Sequence, residues 1–234
     1  MTVYTQSKSV SVGGQTLTVM IRPGVDGMIA DAAGAVLQRA RKCLESASGA
    51  VCQGSEPSAV AHELARTYFA AGQALTDGDW NTIRTVITKT RTGLEGDVVI
   101  KTGTVLSGAQ PQHQGAVHNR VVSQSDFDGQ VPSRPGKSYQ TFVGSMKPEH
   151  AGIPIRRGAI HLRSDLLSSD PELGIVALIH EATHKYAGTW DYAYFDEETG
   201  SRSSPPITDK ASALGNADSY AWFVMFLHVR GARG

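Results

Sequence analysis

Cysteine is nearly absent from this chain: Cys43 and Cys52 are the only two in 234 residues. They can pair across the short stretch between them, but a disulfide framework needs more of them, so a packed core must hold the fold. Two are also too few for a tetrahedral cysteine zinc site. An excess of either charge is missing as well. Lys plus Arg and Asp plus Glu each number 22, which makes no case for a nucleic-acid surface. The most apolar late stretch, Ala217–Val229, is shorter than the roughly 20 residues that a membrane span takes. The opening MTVYTQSKSVSVGG has neither the basic start nor the apolar run of a secretory signal.

Apolar residues make up 40% of the chain and charged residues 19%, the balance of a soluble globular protein. The length suits one domain, read as a mostly helical part over 1–96, opened by a short hairpin, and a chemistry-bearing part over 97–234. The hairpin is expected from Val3–Tyr4 and Val10–Val12, the Gly13-Gly14 turn, and Gln15–Met20. From Asp26 on, Met28, Ile29, Ala32, Ala33, Val36, Leu37, Ala40 and Leu44 recur three and four apart, which predicts an amphipathic helix ending in the Ser-Ala-Ser-Gly run at 46–49. A second helix is expected over Ser58–Ala71. A third opens at Thr76 and Asp79, spaced as a helix cap before Trp80, and closes at Gly93 and Gly96.

The middle is polar and punctuated by Gly and Pro, with a strand at Asp97–Lys101 and short apolar pieces at Val121–Val122 and Tyr139–Val143. His113, His118 and His150 lie here without a partner at helical spacing. Gly158–Arg163 reads as a strand with His161 on one face and Ile160 and Leu162 on the other. Placed beside a catalytic helix, it could receive an extended substrate along its edge, or serve simply as an interior strand of the sheet.

The strongest pattern is DPELGIVALIHEATHKYAG, residues 170–188. Asp170 can cap the free N–H groups, Pro171 suits the first turn, and Glu172 favours the positive end of the helix dipole. The run is apolar nearly all round, so it should pass through the core. Gly188 stops it. Late in it stand His180 and His184, four apart and therefore on one helix face, where they can share a metal ion; Glu181 is the acid that a zinc hydrolase needs to take a proton from water. Residues 62–66, HELAR, imitate this opening but put Arg66 where the second histidine belongs, so His62 and Glu63 are read as packing or surface residues. A catalytic zinc takes a third protein ligand and leaves a fourth position open. The next acidic residue is Asp191, which the Gly188-Thr189 reversal could bring back to the histidines; Glu197, Glu198 and Asp218 are alternatives, and spacing alone leaves a distant His or Glu open as well.

The segment Gly188-Thr189-Trp190-Asp191-Tyr192-Ala193-Tyr194 after the histidine pair resembles the signature of the aspzincin metallopeptidases, the deuterolysin and peptidyl-lysine endopeptidase group. A second block, Asn216-Ala217-Asp218-Ser219-Tyr220, is similar to the same group, and the resemblance covers residues 158–227. It departs at Phe195, where the group has Gly, and in lacking the cysteines and leader of the secreted fungal members, as a divergent and expectedly bacterial relative would. The resemblance implies an α+β, mainly helical zincin-like fold with a small sheet beside the HExxH helix, and Zn2+ as cofactor. It implies His180, His184 and Asp191 as zinc ligands, Glu181 as general base, Tyr194 as donor to the tetrahedral intermediate, and a single-zinc endopeptidase acting on a protein or peptide. Asp218 matches a position linked with preference for Lys after the cut, Ala221 supplies no acid there, and Asp196, Glu197 and Glu198 add local negative charge.

We therefore expect a monomer without a nucleic-acid partner or membrane span, secreted or exported without a classical signal peptide in preference to a cytoplasmic place, with a mature fragment as the other alternative. The competing readings are a toxin-like effector protease, a peptidoglycan hydrolase, and a non-catalytic zinc-stabilised binding module; the last has no need of Glu181.

Overall fold

The computed structural model of the chain describes residues 4, 6–52, 56–104, 115–117, 159–196 and 198–231. The expectations placed on Val3, His113, His118, His150, Glu197 and the apolar pieces at 121–122 and 139–143 lie outside the described residues. Cys43 is a buried free thiol.

The hairpin forms as strand β1 (Gln6–Val12) and β2 (Gln15–Ile21), joined where Gly13 and Gly14 take φ values of 60° and 81°. Both turn residues need the left-handed region, which glycine enters without a Cβ clash. Helix α1 follows over Ile29–Cys52. It does not end in the Ser-Ala-Ser-Gly run: Ala47 and Val51 continue its buried stripe, so packing overrides the weak helix preference of that run. Helix α2 spans Ala59–Tyr68 behind a Ser58 cap, and α3 spans Asp77–Glu95 behind a reciprocal Thr76–Asp79 capping box. Gly93 lies inside α3 rather than at its end. A Cβ there would stand 2.2 Å from the Tyr186 ring, so the glycine is the notch into which the helix carrying His180 packs.

Strands β3 (Val98–Gly103), β4 (Gly115–Val117) and β5 (Ile160–Arg163) complete a five-stranded sheet of order β1-β2-β3-β5-β4. β2, β3 and β5 run parallel, while β1 and β4 are antiparallel to their neighbours. β5 is therefore an interior strand. The edge available to an extended ligand on that side, among the described residues, belongs to β4, and the expectation of edge pairing by 158–163 is corrected accordingly. The face of His161 is also buried, along with Ile160 and Leu162.

A short helix α4 (Ser164–Ser168) leads into α5 (Pro171–Ala182), whose last turn widens into a π-helical turn at Thr183–Ala187. The two short strands β6 (Tyr194–Phe195) and β7 (Ser203–Ser204) pair with each other, α6 (Lys210–Gly215) follows, and α7 (Ala217–Gly231) closes the fold. α5 is buried on every side from Gly174 to Ala182 and packs against α1, α3, α7 and the β4–β5 edge of the sheet. No described helix is long and apolar enough to cross a membrane.

The decoy at 62–66 has the packing role expected of it. The His62 ring meets Trp80 edge-on at 4.9 Å, and Glu63 takes Arg230 at 2.7 Å on the surface.

The approach of α5 to α4 gives a test of the packing. A Cβ on Gly174 would sit 2.4 Å from the Leu166 carbonyl oxygen, a backbone atom that cannot swing aside. Gly→Ala inside a helix ordinarily stabilises by about 0.5–1 kcal/mol. Gly174→Ala is expected to reverse that sign and to destabilise by about 1–3 kcal/mol through overpacking. Thermal unfolding of the two forms reads this directly; a raised melting temperature for the alanine form contradicts the crossing described here.

Candidate metal centre

The capping signals of α5 act as the sequence implies. Asp170 accepts the Leu173 N–H at 3.0 Å, and Pro171 fills the first helical position. At the other end Gly188 takes φ 76°, and its N–H turns back to the carbonyls of His184 and Thr183. Thr189 follows in the same reversal, its N–H on the Thr183 carbonyl at 3.4 Å. This end returns the chain towards the histidines within a few residues. A single π-helical turn inside a helix is common at functional sites, because it re-aims side chains that an α-turn would stagger.

Three donor atoms converge there. His180 Nε2 and His184 Nε2 are 3.0 Å apart. Asp191 Oδ1 lies 3.1 Å from the first and 2.9 Å from the second. Glu181 Oε1 stands further off, 3.9 Å from His180 Nε2. His180, Glu181 and His184 are all buried, whereas the Asp191 side chain is 39% exposed and opens the cluster to solvent.

The remaining ring nitrogens are committed. His180 Nδ1 faces Asp218 Oδ1 at 3.0 Å, and His184 Nδ1 faces the Thr189 carbonyl at 2.8 Å. A carbonyl can only accept, so His184 carries its proton on Nδ1 and turns the Nε2 lone pair inward; the Asp218 carboxylate imposes the same on His180. Two inward lone pairs 3.0 Å apart repel one another unless a cation lies between them. Four-coordinate zinc, with nitrogen ligands at about 2.0–2.1 Å, puts its ligand atoms about 3.3 Å apart. The observed spacings are within a few tenths of an ångström of that, and two imidazoles with a carboxylate are donors that zinc takes. The cluster is a zinc-binding site, with His180, His184 and Asp191 as the residues that could hold the ion.

Without a metal, a proton takes the cation's place. Burial alone would lower the His180 pKa, but hydrogen bonds to Asp191 and Asp218 and the charges of Asp191 and Glu181 outweigh it, so the value stands well above the ordinary one. Burial likewise works to raise Asp191, and attraction and hydrogen bonding to the histidine pair override it, holding the carboxyl well below the usual range. The signs then follow. His180 lends the metal-free fold stability at low pH that is lost as pH rises through its raised pKa. Asp191 lends stability that is lost as pH falls through its depressed one. Zinc must displace the His180 proton, so its apparent affinity should rise with pH, about tenfold per unit for one displaced proton. Chelator competition at pH 6, 7 and 8 measures this slope. A flat profile would mean that His180 is already neutral in the metal-free protein.

Tyr194 is half-exposed, and its ring stacks on that of His180, centroids 5.9 Å apart and planes 13° from parallel. Burial first, then the negative charges of Asp191, Glu181 and Asp218, push its phenol pKa upward, so it stays a donor.

The structure thus gathers His180, Glu181, His184, Asp191 and Tyr194 around one point. Asp218 belongs to the group in another way than expected. Its side chain is 9% exposed, one oxygen faces His180 Nδ1, and the other accepts the Phe195 N–H at 2.5 Å. That placement orients the His180 ring and turns both carboxylate oxygens towards the protein. Asp196 is engaged with Thr199 and Ala221 is fully buried.

Sequence reasoning missed four contributors. Thr183 and Thr189 hydroxyls bond each other at 2.8 Å and lock the reversal after α5. The Asn216 side chain holds the 192–193 backbone. Gly115 of β4 lies directly on the Glu181 side chain, where a Cβ would be 2.6 Å from Cγ and 2.8 Å from Oε1. The Gly188-Thr189 pair and the 216–220 block carried a signal for Thr189 and Asn216; nothing local marks Thr183 or Gly115.

No family model matches the chain, and neither does any curated protein sequence. The structure is similar to that of a zinc peptidase from Grifola frondosa, with a TM-score of 0.52 and 15% identity, covering 86% of this chain and 96% of that chain. At that identity the likeness is one of fold. The chain has a mainly helical α+β fold with a small mixed sheet and a His-Glu-x-x-His helix, the architecture of a zincin-like metallopeptidase.

Proposed function

We propose that the chain is a zinc-dependent endopeptidase. The observation that carries this reading is the division of labour among the carboxylates. Asp191 sits at 2.9–3.1 Å from both inward histidine nitrogens, while Glu181, buried beside them, stands 3.9 Å from the nearer one. A purely structural zinc site closes with four protein ligands and has no use for a second acid held just out of reach.

Bound zinc would supply Lewis acidity, activating a water and polarising the scissile carbonyl. Glu181 accepts the proton of the attacking water and later passes it to the departing amine. Tyr194, kept protonated, donates to the carbonyl oxygen as it gains negative charge. His180 and His184 are held by Asp218 and Thr189 in the tautomer that keeps Nε2 available. A peptide bound along the outer edge of β4 would pass close to Glu181, because Gly115 brings that backbone against the carboxylate.

Lysine preference on the primed side belongs to the same resemblance. With Asp218 turned to His180, the surface acids Asp196 and Glu198 remain, among the described residues, to supply it. One experiment tests both levels. The purified chain is incubated with a denatured protein mixture, with zinc, with a chelator, and with zinc restored, and the new termini are mapped. Cleavage that is lost on chelation and recovered with zinc is the expected result. A zinc-loaded chain that cleaves no peptide would instead make this a zinc-stabilised module, and lysine after most cuts would reinstate a primed-side acid.

A further inference from the structure

Asn216 is fully buried at the joint between α6 and α7. Its backbone forms a parallel bridge with Trp190: the Trp190 N–H donates to the Gly215 carbonyl at 2.8 Å, and the Ala217 N–H donates to the Trp190 carbonyl at 2.9 Å. Its side-chain Oδ1 accepts the N–H groups of Tyr192 at 2.9 Å and Ala193 at 3.2 Å. Its Nδ2 donates to Ser219 Oγ at 3.1 Å, which fixes which end of the amide faces the loop. Residues 190, 192 and 193 are therefore each tied to this joint, and the residue between those ties is Asp191. Two positions further on, Asp218 takes the Phe195 N–H with one oxygen and faces His180 Nδ1 with the other. One turn of chain thus indexes the loop carrying Asp191 and Tyr194 against the helix carrying His180.

An asparagine is specific to this task. Its carbonyl oxygen has two lone pairs for two adjacent N–H groups, and its NH2 group anchors it from behind. A leucine of similar size would fill the space and leave the buried Ala193 N–H unsatisfied.

We infer that Asn216 is a positioning residue for the metal: it holds the Asp191 carboxylate at the two histidine nitrogens and thereby sets the zinc affinity. The inference rests on the reading of Asp191 as a ligand. Zinc affinity, measured by chelator competition without reference to turnover, tests it in Asn216→Ala, Asp191→Ala and the double variant, with thermal unfolding of each metal-free form alongside. Asn216→Ala is expected to weaken zinc about 10–100-fold, as loss of an outer-shell partner typically does. Asn216→Asp, which keeps a side-chain oxygen towards 192 and 193, is expected to recover most of that. In the Asp191→Ala background, Asn216→Ala should cost no further zinc affinity, because the carboxylate it positions is gone.

Equal losses in the two backgrounds, or an unchanged affinity in Asn216→Ala, overturn the inference and leave Asn216 a purely structural residue. An unchanged affinity in Asp191→Ala overturns the ligand reading itself, and the inference with it. If Asn216→Ala fails to fold, Asn216→Ser, whose shorter side chain falls away from the loop, takes its place in the same cycle.

Discussion

Glu181→Gln is expected to keep one zinc per chain and to lose about 10³-fold in kcat, within the range that a positioned general base supplies. Glutamine has the same length and shape, so the contact with Gly115 across the β4 edge survives. It lacks the basic oxygen that the proposed mechanism uses to accept the water proton. Zinc should stay because the atoms that enclose the site are His180 Nε2, His184 Nε2 and Asp191 Oδ1, none of them changed. The lost factor corresponds to about 4 kcal/mol of transition-state stabilisation and should fall on kcat rather than KM, since Glu181 acts on the water and not on the bound chain. Two measurements decide: metal content of the purified variant and kcat on a peptide taken from the mapped cleavage sites. Loss of zinc together with activity would make Glu181 a ligand and displace Asp191 from that role. Retained turnover would remove Glu181 from the chemistry.

How much of this was legible beforehand depends on the distance over which each feature is encoded. Features written within a turn of chain were readable. Asp170-Pro171 caps α5, Thr76 and Asp79 form their reciprocal pair, Gly13-Gly14 make the hairpin turn, and Gly188 ends the helix in the left-handed region. The histidine pair is likewise local, and its neighbours Glu181, Asp191 and Tyr194 fall within fourteen residues of it. Features that depend on a partner far along the chain were not. Gly93 reads as a helix breaker until Tyr186 is seen packed on it, and α1 seems to end at 46–49 until Ala47 and Val51 are seen buried. β5 looks like an edge because periodicity says nothing of which strands flank it; β3 and β4 occupy both sides. Asp218 lies 38 residues from His180, and no spacing rule reports that one carboxylate will turn to the ring nitrogen of the other. The resemblance located the acid but assigned it outward, towards substrate. Its burial and its two short contacts turn it inward.

Tyr194→Phe is expected to lose about 10²–10³-fold in kcat while KM and zinc content stay near their original values, the pattern left by removing one donor to a developing oxyanion. Phenylalanine keeps the ring, and with it the stacking on His180 at 5.9 Å, so the site should remain assembled. What it removes is the hydroxyl, which hydrogen-bonds Asp191 at the cluster while the residue as a whole stays half-exposed. The pH dependence separates this role from acid–base catalysis. Burial and the surrounding carboxylates hold the Tyr194 phenol above its ordinary pKa, so on the proposed mechanism it stays protonated as a donor across the working range. Its removal should therefore lower the whole pH–rate profile without moving either limb. Were Tyr194 instead a general acid titrating within the working range, the alkaline limb would shift or vanish in the phenylalanine form. A profile lowered by a constant factor, with zinc bound, is the result that assigns Tyr194 to the oxyanion.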